Sequence, residues 1–181
     1  MRIIGGEYRG RKVAWTADKS VRPTPDRLRE NVFNILRARI SGARVLDLFA
    51  GSGLLGLEFI SRGAARVTFA DKSIDCIRAI QKTLAEFKTP PEKFRAIRGD
   101  CFYVLRLLRN EKFDIIYLDP PYRDGLYAPA SDTVFSQGML SDGGIAVVEH
   151  LAAAPPPVPS GAAVADRRVY GTIGLTFLAT L

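Results

Sequence analysis

The sequence predicts an α/β fold, with helices on both faces of a mostly parallel sheet of seven strands that ends in an antiparallel edge. Three observations predict it. Strand-like and helical patterns alternate between residues 43 and 149, a glycine-rich loop follows the first of these strands, and the last two strand-like runs have no helix between them. A chain of 181 residues fits one domain. We therefore expect a single domain over residues 1–181, with a basic extension (1–40) before a Rossmann-like core (41–181).

The extension is predicted to be a β-hairpin followed by a helix. Residues 3–4 and 12–15 are short strand-like runs, and three glycines lie between them. Residues 22–25, which include two prolines, then precede a helix. Its apolar positions have helical spacing: Leu28, Val32, Ile35 and Leu36.

The core is predicted from the alternation of apolar runs and helical periodicity. The expected strands cover residues 44–49, 66–70, 93–98, 113–118, 144–149, 164–169 and 172–178, and the expected helices cover residues 54–62, 73–87 and 101–109, with one more between 118 and 144. Consecutive parallel strands need right-handed crossovers, which place helices on both faces of the sheet. The last two strands surround residues 170–171 and are expected to pair antiparallel.

Composition narrows the class of protein. Hydrophobic residues make up 47% and charged residues 25%, as in ordinary globular proteins. There are only two cysteines and one histidine, without metal-ligand spacing, so we expect no metal. No run approaches the roughly 18 apolar residues that span a bilayer, and the start lacks a signal-peptide core. We expect a cytoplasmic protein, without a membrane partner and monomeric.

Positive charge is concentrated at the N-terminus. The net charge is +7, and residues 1–40 contain ten basic side chains against four acidic ones. This balance favours a polyanionic partner. On a hairpin, four of the basic residues would form a phosphate-binding surface, with Tyr8 and Trp15 nearby. These expected RNA-binding residues are Arg2, Arg9, Arg11 and Lys12.

The loop after the first core strand is typical of cofactor-binding α/β proteins. Gly51, Gly53 and Gly56 satisfy the G-x-G-x-x-G pattern, which lets a ligand approach the backbone at a helix N-terminus. Asp71 lies 20 residues after Gly51, where an acid can accept hydrogen bonds from ribose hydroxyls. Two classes share these features. Oxidoreductases bind a dinucleotide pyrophosphate there, whereas methyltransferases bind the methionine part of their cofactor.

Two acids favour the methyltransferase. Asp47 could face a cofactor ammonium, whereas it would repel a pyrophosphate. Asp100, with Cys101 behind it, follows the third strand and is placed to meet an adenine, although an aspartate there can also serve as a helix N-cap.

The tetrapeptide Asp119-Pro120-Pro121-Tyr122 follows the fourth core strand, on the ligand-binding edge of such sheets. Asp119 and the Pro120 carbonyl could accept hydrogen bonds from both N–H groups of an exocyclic base amine, which would orient it toward a methyl donor. The prolines fix the backbone and remove competing donors. Tyr122 offers a ring on which the base can stack. The residues therefore predict methylation of an exocyclic amine.

The chain closely resembles the RsmD family, bacterial 16S ribosomal RNA guanine-N2 methyltransferases with the class I S-adenosylmethionine-dependent fold. The matching segments are residues 2–6, 9–12, 22–24, 26–27, 29–30, 33–34, 47–53, 56–58, 61–64, 119–122 and 170–171. The resemblance implies S-adenosyl-L-methionine as cofactor and 16S ribosomal RNA, in the small subunit or an assembly intermediate, as partner. Asp71 stands where family members often have Glu, and residues 151–165 look divergent.

With the resemblance and the loop pattern together, catalytic roles are expected for Asp119, Pro120, Pro121 and Tyr122. Arg22 and Thr24 are expected to border the cofactor pocket. The complete set of expected cofactor-binding residues is Arg22, Thr24, Asp47, Phe49, Ala50, Gly51, Ser52, Gly53, Asp71, Lys72, Asp100, Cys101 and Asp119.

Three other functions remain open at this stage. Adenine-N6 methylation of DNA or RNA would use the same tetrapeptide, although no separate recognition domain is visible. A nicotinamide-dependent oxidoreductase would use the same glycine loop. An RNA-binding assembly factor without activity would keep the fold, but the intact Asp119 and glycine loop argue against it. His150, the single histidine, is expected to be structural.

Overall fold

A computed structural model describes residues 1–13, 26–121 and 124–181. These residues form helices around one seven-stranded sheet of order β3-β2-β1-β4-β5-β7-β6. The elements are α1 (Asp26–Ile40), β1 (Arg44–Asp47), α2 (Leu54–Ser61), β2 (Arg66–Asp71), α3 (Ile74–Glu86), β3 (Phe94–Arg98), α4 (Cys101–Leu107), β4 (Phe113–Leu118), α5 (Tyr127–Ser136), β5 (Leu140–Leu151), β6 (Ala162–Tyr170) and β7 (Ile173–Thr180).

The predicted architecture is confirmed. β1 to β5 are parallel to one another, and β7 lies between β5 and β6, antiparallel to both. Apart from the start of β5, the predicted boundaries agree with the structure within two residues. β5 begins at Leu140, four residues earlier than predicted, because Phe113 of β4 pairs with Leu140 before a register shift. Ile35 is exposed, whereas Arg29 is buried on the inner face of α1, so the predicted apolar stripe was wrong at that position.

The sheet is buried on both faces, as alternating side chains of central strands require. One core contains Val45, Ile115 and Val147 and packs against α1, α2 and α3. The other contains Leu46, Ile116 and the side chains of α4 and α5. The helices α2 to α5 thus follow β1 to β4 and cover both faces of the sheet.

Residues 1–13, the N-terminal arm, form an antiparallel turn with one isolated bridge, whereas a β-hairpin with strands at residues 3–4 and 12–15 was predicted; residues 14–15 lie outside the described residues. Arg2 pairs with Lys12, and the Ile3 N–H donates to the Arg11 carbonyl at 3.0 Å. The arm docks on the C-terminal turn of α2, where Ser61 receives hydrogen bonds from the backbone N–H groups of Glu7 and Tyr8. It is therefore anchored to the core by its own backbone.

Within the described ranges, no helix is both long and apolar enough to cross a membrane.

Candidate active site

The glycine loop lies at the carboxyl edge of the sheet, between β1 and α2. Gly51 and Gly53 have φ angles of 53° and 75°, which side chains with a Cβ rarely adopt, and Gly53 precedes the first residue of α2. At Gly56, an added Cβ would lie 2.1 Å from the Phe69 ring, so this glycine allows α2 to pack closely on β2. Gly51 and Gly53 are thus needed for their backbone conformation, and Gly56 is needed for close packing of α2.

Two aspartate side chains accept hydrogen bonds from backbone N–H groups of the glycine motif. Asp71, at the end of β2, accepts hydrogen bonds from the N–H groups of Gly51 and Ser73, each at 2.8 Å. Asp47, at the end of β1, is 2% exposed and accepts a hydrogen bond from the Gly56 N–H at 3.1 Å. Burial raises the pKa of Asp47 to about 7, and the nearby Asp71 charge adds to the shift, whereas the Gly56 hydrogen bond opposes it. A cationic ligand group above this loop would therefore be favoured.

The other predicted cofactor-binding residues lie along the same edge. Ala50 and Ser52 are buried within the loop, and Phe49 is partly buried against the second core. Lys72 is exposed, with its Nζ 3.9 Å from Asp124. These positions place the loop backbone, rather than long side chains, next to the space above the sheet.

The end of β3 contributes Asp100 and Cys101. The Asp100 side chain accepts a hydrogen bond from the Tyr103 N–H at 2.9 Å and caps α4, which confirms the N-cap interpretation. Cys101 is buried, and its pKa is raised by burial and by the neighbouring Asp100 charge. Asp100 itself is exposed at this edge, so capping leaves its outer oxygen available to a ligand.

Asp119 lies just beyond the end of β4 and is half-buried, with Pro120 buried behind it and Pro121 exposed. Burial, then the charges of Glu149 and Asp47, hold the pKa of Asp119 well above its usual range. The structure thus brings Asp119 close to Asp47, and Asp47 to the glycine loop. Three predicted site residues, Tyr122, Arg22 and Thr24, lie outside the described residues.

Two buried polar residues beside Asp119 were missed by the sequence analysis. The Tyr117 hydroxyl, on β4, donates a hydrogen bond of 2.8 Å to the Glu149 carboxylate on β5. Both side chains are almost fully buried. Glu149 at the end of the apolar run over residues 145–148 was the available signal, because acids rarely lie in buried strands unless they are paired or functional.

The basic residues of the arm divide into two groups. Arg2, Arg9 and Lys12 are exposed. Arg11 instead donates to the carbonyls of Glu86 and Phe87 at the end of α3, at 2.8 and 3.2 Å, and its guanidinium lies 3.9 Å from the centre of the Phe87 ring.

These contacts correct one expectation, because the Arg11 guanidinium holds the arm against α3 and does not contribute to an exposed phosphate-binding surface. Tyr8 is buried beside it, and its hydroxyl lies 3.1 Å from Thr89 Oγ1. Trp15 lies outside the described residues.

His150 has the structural contacts that were predicted. Its Nδ1 lies 2.8 Å from the Leu151 carbonyl and its Nε2 lies 2.9 Å from Thr176 Oγ1. Burial lowers its pKa. Among the described residues, no group of three or more His, Cys, Asp or Glu side chains could hold a metal ion.

Comparison with known proteins confirms the class that the fold and site indicate: the chain is an S-adenosylmethionine-dependent methyltransferase. Its sequence matches a family model over residues 1–179, and it belongs to that family, described as Conserved hypothetical protein 95. The resemblance to RsmD proteins is thereby confirmed. A relative named Ribosomal RNA small subunit methyltransferase D from Escherichia coli K12 is 34% identical, over 96% of this chain and 86% of its own length.

A second relative of that name, from Haemophilus influenzae Rd, is 35% identical over 82% of this chain and 78% of its own length. Solved structures agree. The Escherichia coli protein yhhF superposes with a TM-score of 0.86 at 32% identity, covering 99% of this chain and 97% of that one. A hypothetical protein of Thermus thermophilus gives 0.84 at 29% identity, covering 98% of each chain.

Proposed function

We propose that this protein methylates the exocyclic N2 amino group of a guanine in 16S ribosomal RNA, within the small subunit or an assembly intermediate, as a cytoplasmic monomer. The observation that carries the proposal is Asp119: a half-buried carboxyl at the end of β4, beside the acid-lined glycine loop. The names of the relatives support small-subunit ribosomal RNA as the partner.

The acids of the loop fit the proposed cofactor. Asp47 lies beneath the loop without enough counter-charge to keep its pKa low. S-adenosylmethionine supplies an electrophilic methyl group on a cationic sulfur and also carries an ammonium, so its charges complement these carboxyls. A dinucleotide pyrophosphate would be repelled by them. This contrast favours the methyltransferase over a nicotinamide-dependent oxidoreductase.

The remaining predicted residues take roles around that cofactor. Asp47 faces the ammonium, Asp71 the ribose hydroxyls, and Asp100 with Cys101 the adenine. The buried backbone of residues 49–53 allows close approach. Lys72, Arg22 and Thr24 remain predictions at the margin of the pocket.

Asp119 orients the target amine. Its carboxylate and the Pro120 carbonyl accept the two N–H bonds, which turns the nitrogen lone pair toward the methyl group. Pro120 and Pro121 contribute no N–H that could compete for those acceptors. Stacking of the base on Tyr122 remains a prediction.

RNA binding extends from the pocket to the arm, where Arg2, Arg9 and Lys12 are exposed. α2 has eight residues, so Ser61, where the arm docks, lies roughly 12 Å from the glycine loop. The arm therefore contacts RNA at some distance from the target base, in agreement with a large folded substrate.

The test uses small subunits from a strain that lacks guanine-N2 methylation, labelled S-adenosylmethionine, and mass mapping of the product. Asp119→Ala is expected to keep cofactor affinity in calorimetry while kcat falls roughly 10²–10³-fold, because an acceptor that orients the amine is lost. Asp132→Ala, at an exposed position of α5, is the matched control. An adenine-N6 product would show that adenine, and not guanine, is the substrate. Binding of NAD but not of S-adenosylmethionine would overturn the proposal.

A further inference from the structure

Asp119 has a carboxyl neighbour on the next strand. Leu118 of β4 pairs with Val148 of β5, so the residues that follow, Asp119 and Glu149, are side by side on strands about 4.8 Å apart. Alternation places both on the face of Tyr117 and Val147, which belongs to the core beneath the glycine loop. Two carboxyl groups therefore lie side by side at the end of β4 and β5, with Glu149 buried and Asp119 half-buried.

The Tyr117 hydroxyl distinguishes the two carboxyls. It donates to Glu149 Oε2 at 2.8 Å, and a donated hydrogen bond stabilises the charged form of a carboxylate. Burial and the Glu149 charge hold the pKa of Tyr117 well above its usual value, so the hydroxyl keeps its proton and remains a donor. This hydrogen bond therefore favours the negative charge on Glu149.

A negative charge on Glu149 raises the pKa of Asp119. Among the described residues, the charged groups that influence Asp119 are Glu149 from β5 and Asp47 from β1, and both are acids. Like charges in a buried site disfavour ionisation, so Asp119 binds a proton more strongly than an isolated aspartate does. This property adds to its role as a hydrogen-bond acceptor.

We propose that Glu149, held by the Tyr117 hydroxyl, is a positioning residue that enables Asp119 to accept the proton released during methyl transfer. This inference rests on the proposed function, because it assigns a further step to the same site. It concerns Glu149 and Tyr117, neither of which the sequence motifs include.

Methyl transfer forms one bond and breaks one. The amine lone pair forms the nitrogen–carbon bond, and the pair of the sulfur–carbon bond stays on sulfur, which becomes neutral. The nitrogen then carries a positive charge and two hydrogens. One of these protons passes along its hydrogen bond to an Asp119 oxygen, leaving a neutral methylated amine, and Asp119 returns the proton to water when the product leaves.

The sign of the pH dependence follows from this arrangement. Only ionised Asp119 can accept a proton, so kcat should rise with pH along an acidic limb and then reach a plateau. Removing the Glu149 charge makes Asp119 easier to ionise and a weaker base. Glu149→Gln should therefore move the limb to lower pH and lower the plateau.

The experiment measures kcat against pH, with labelled S-adenosylmethionine and unmethylated small subunits, for the wild type, Glu149→Gln and Glu149→Asp. Glu149→Asp keeps the charge and should keep the limb near its wild-type position. Glu92→Gln, at an exposed position, is the matched control and should change neither limb nor plateau. A residue that only supported the fold would lower kcat equally at every pH.

An unmoved limb in a folded Glu149→Gln variant would overturn the inference. If that variant does not fold, carbon-13 NMR titration of the carboxyls in wild type and Asp119→Asn replaces it. If Asp119 is the carboxyl that ionises last, Asp119→Asn should remove the titration step at higher pH; persistence of that step in the variant overturns the inference. Absence of RNA methylation by the wild type would instead count against the proposed function, so the two failures are distinguishable.

Discussion

The substitution Glu58→Gln tests how the N-terminal arm is joined to the core. Glu58 is fully buried in α2. Its Oε2 accepts the Ile4 N–H at 2.9 Å, and its Oε1 accepts Arg62 Nε at 2.8 Å. Arg29, also fully buried, places Nη1 3.7 Å from Oε2, and in the described part of the chain its Nε and Nη1 have no hydrogen-bond partner. One carboxylate thus balances a buried guanidinium and anchors the arm.

Breaking a buried ion pair by neutralising one partner costs about 3–5 kcal/mol, because the other charge stays buried. Arg29 keeps Asp26 at 2.7 Å, although the Asp26 side chain is 57% exposed, so we expect a loss of about 3 kcal/mol. For comparison, Glu86→Gln removes one exposed contact to Lys82 and should cost less than about 0.5 kcal/mol.

Urea unfolding at neutral pH, with the free energies of unfolding compared at equal m-values, measures both variants. A loss below about 1 kcal/mol for Glu58→Gln would refute the reasoning, since it would mean that Arg29 does not depend on Glu58.

Two further predictions concern pH and RNA. The pKa of Asp47 is about 7 in the folded protein against an ordinary 3.8, so the stability from its protonated form is complete below about pH 4 and is lost as the pH rises toward 7. Asp47→Asn should therefore gain stability relative to wild type across that window in urea unfolding, and a pH-independent difference would contradict this. Arg9→Ala should weaken binding to small subunits and reduce the slope of log affinity against log salt concentration by about one. Arg11→Ala should instead lower the melting temperature and leave that slope unchanged. Equal slopes for Arg9→Ala and wild type would show that Arg9 does not contact the RNA.

Local patterns predicted the parallel core well. The helix from Ile74 to Glu86 was expected within one residue of each end, because Ser73 caps its start and prolines follow its end. Central strands are apolar on both faces, so their runs are visible without any partner. The glycine loop and Asp119 were visible for a similar reason, since their geometry depends on residues adjacent in sequence.

What the sequence did not reveal depends on contacts between distant residues. Arg11 looked like a free cation because its partners, the carbonyls that end α3, are 75 residues away. The importance of Glu149 depends on its hydrogen bond with Tyr117 and on the effect of its charge on the pKa of Asp119. Ile35 was expected inside because helical spacing alone cannot tell toward which side an apolar stripe extends; the buried face of α1 extends toward Arg29 and Phe33, and Arg29 is paired there with Glu58. Pairings of this kind arise only once the chain has folded.

The docking of the arm on the C-terminal turn of α2 has a consequence for substrate choice. A tethered arm could follow phosphates wherever they lie, but this one is fixed by Ser61 and Glu58 to the same helix that begins at the glycine loop. Arg9 and the pocket are then held at a fixed distance from each other. Under the proposed function, a guanine is accepted when the fold of its RNA presents phosphates at the matching span, so the enzyme would select its target by measuring RNA architecture and need not read the neighbouring bases.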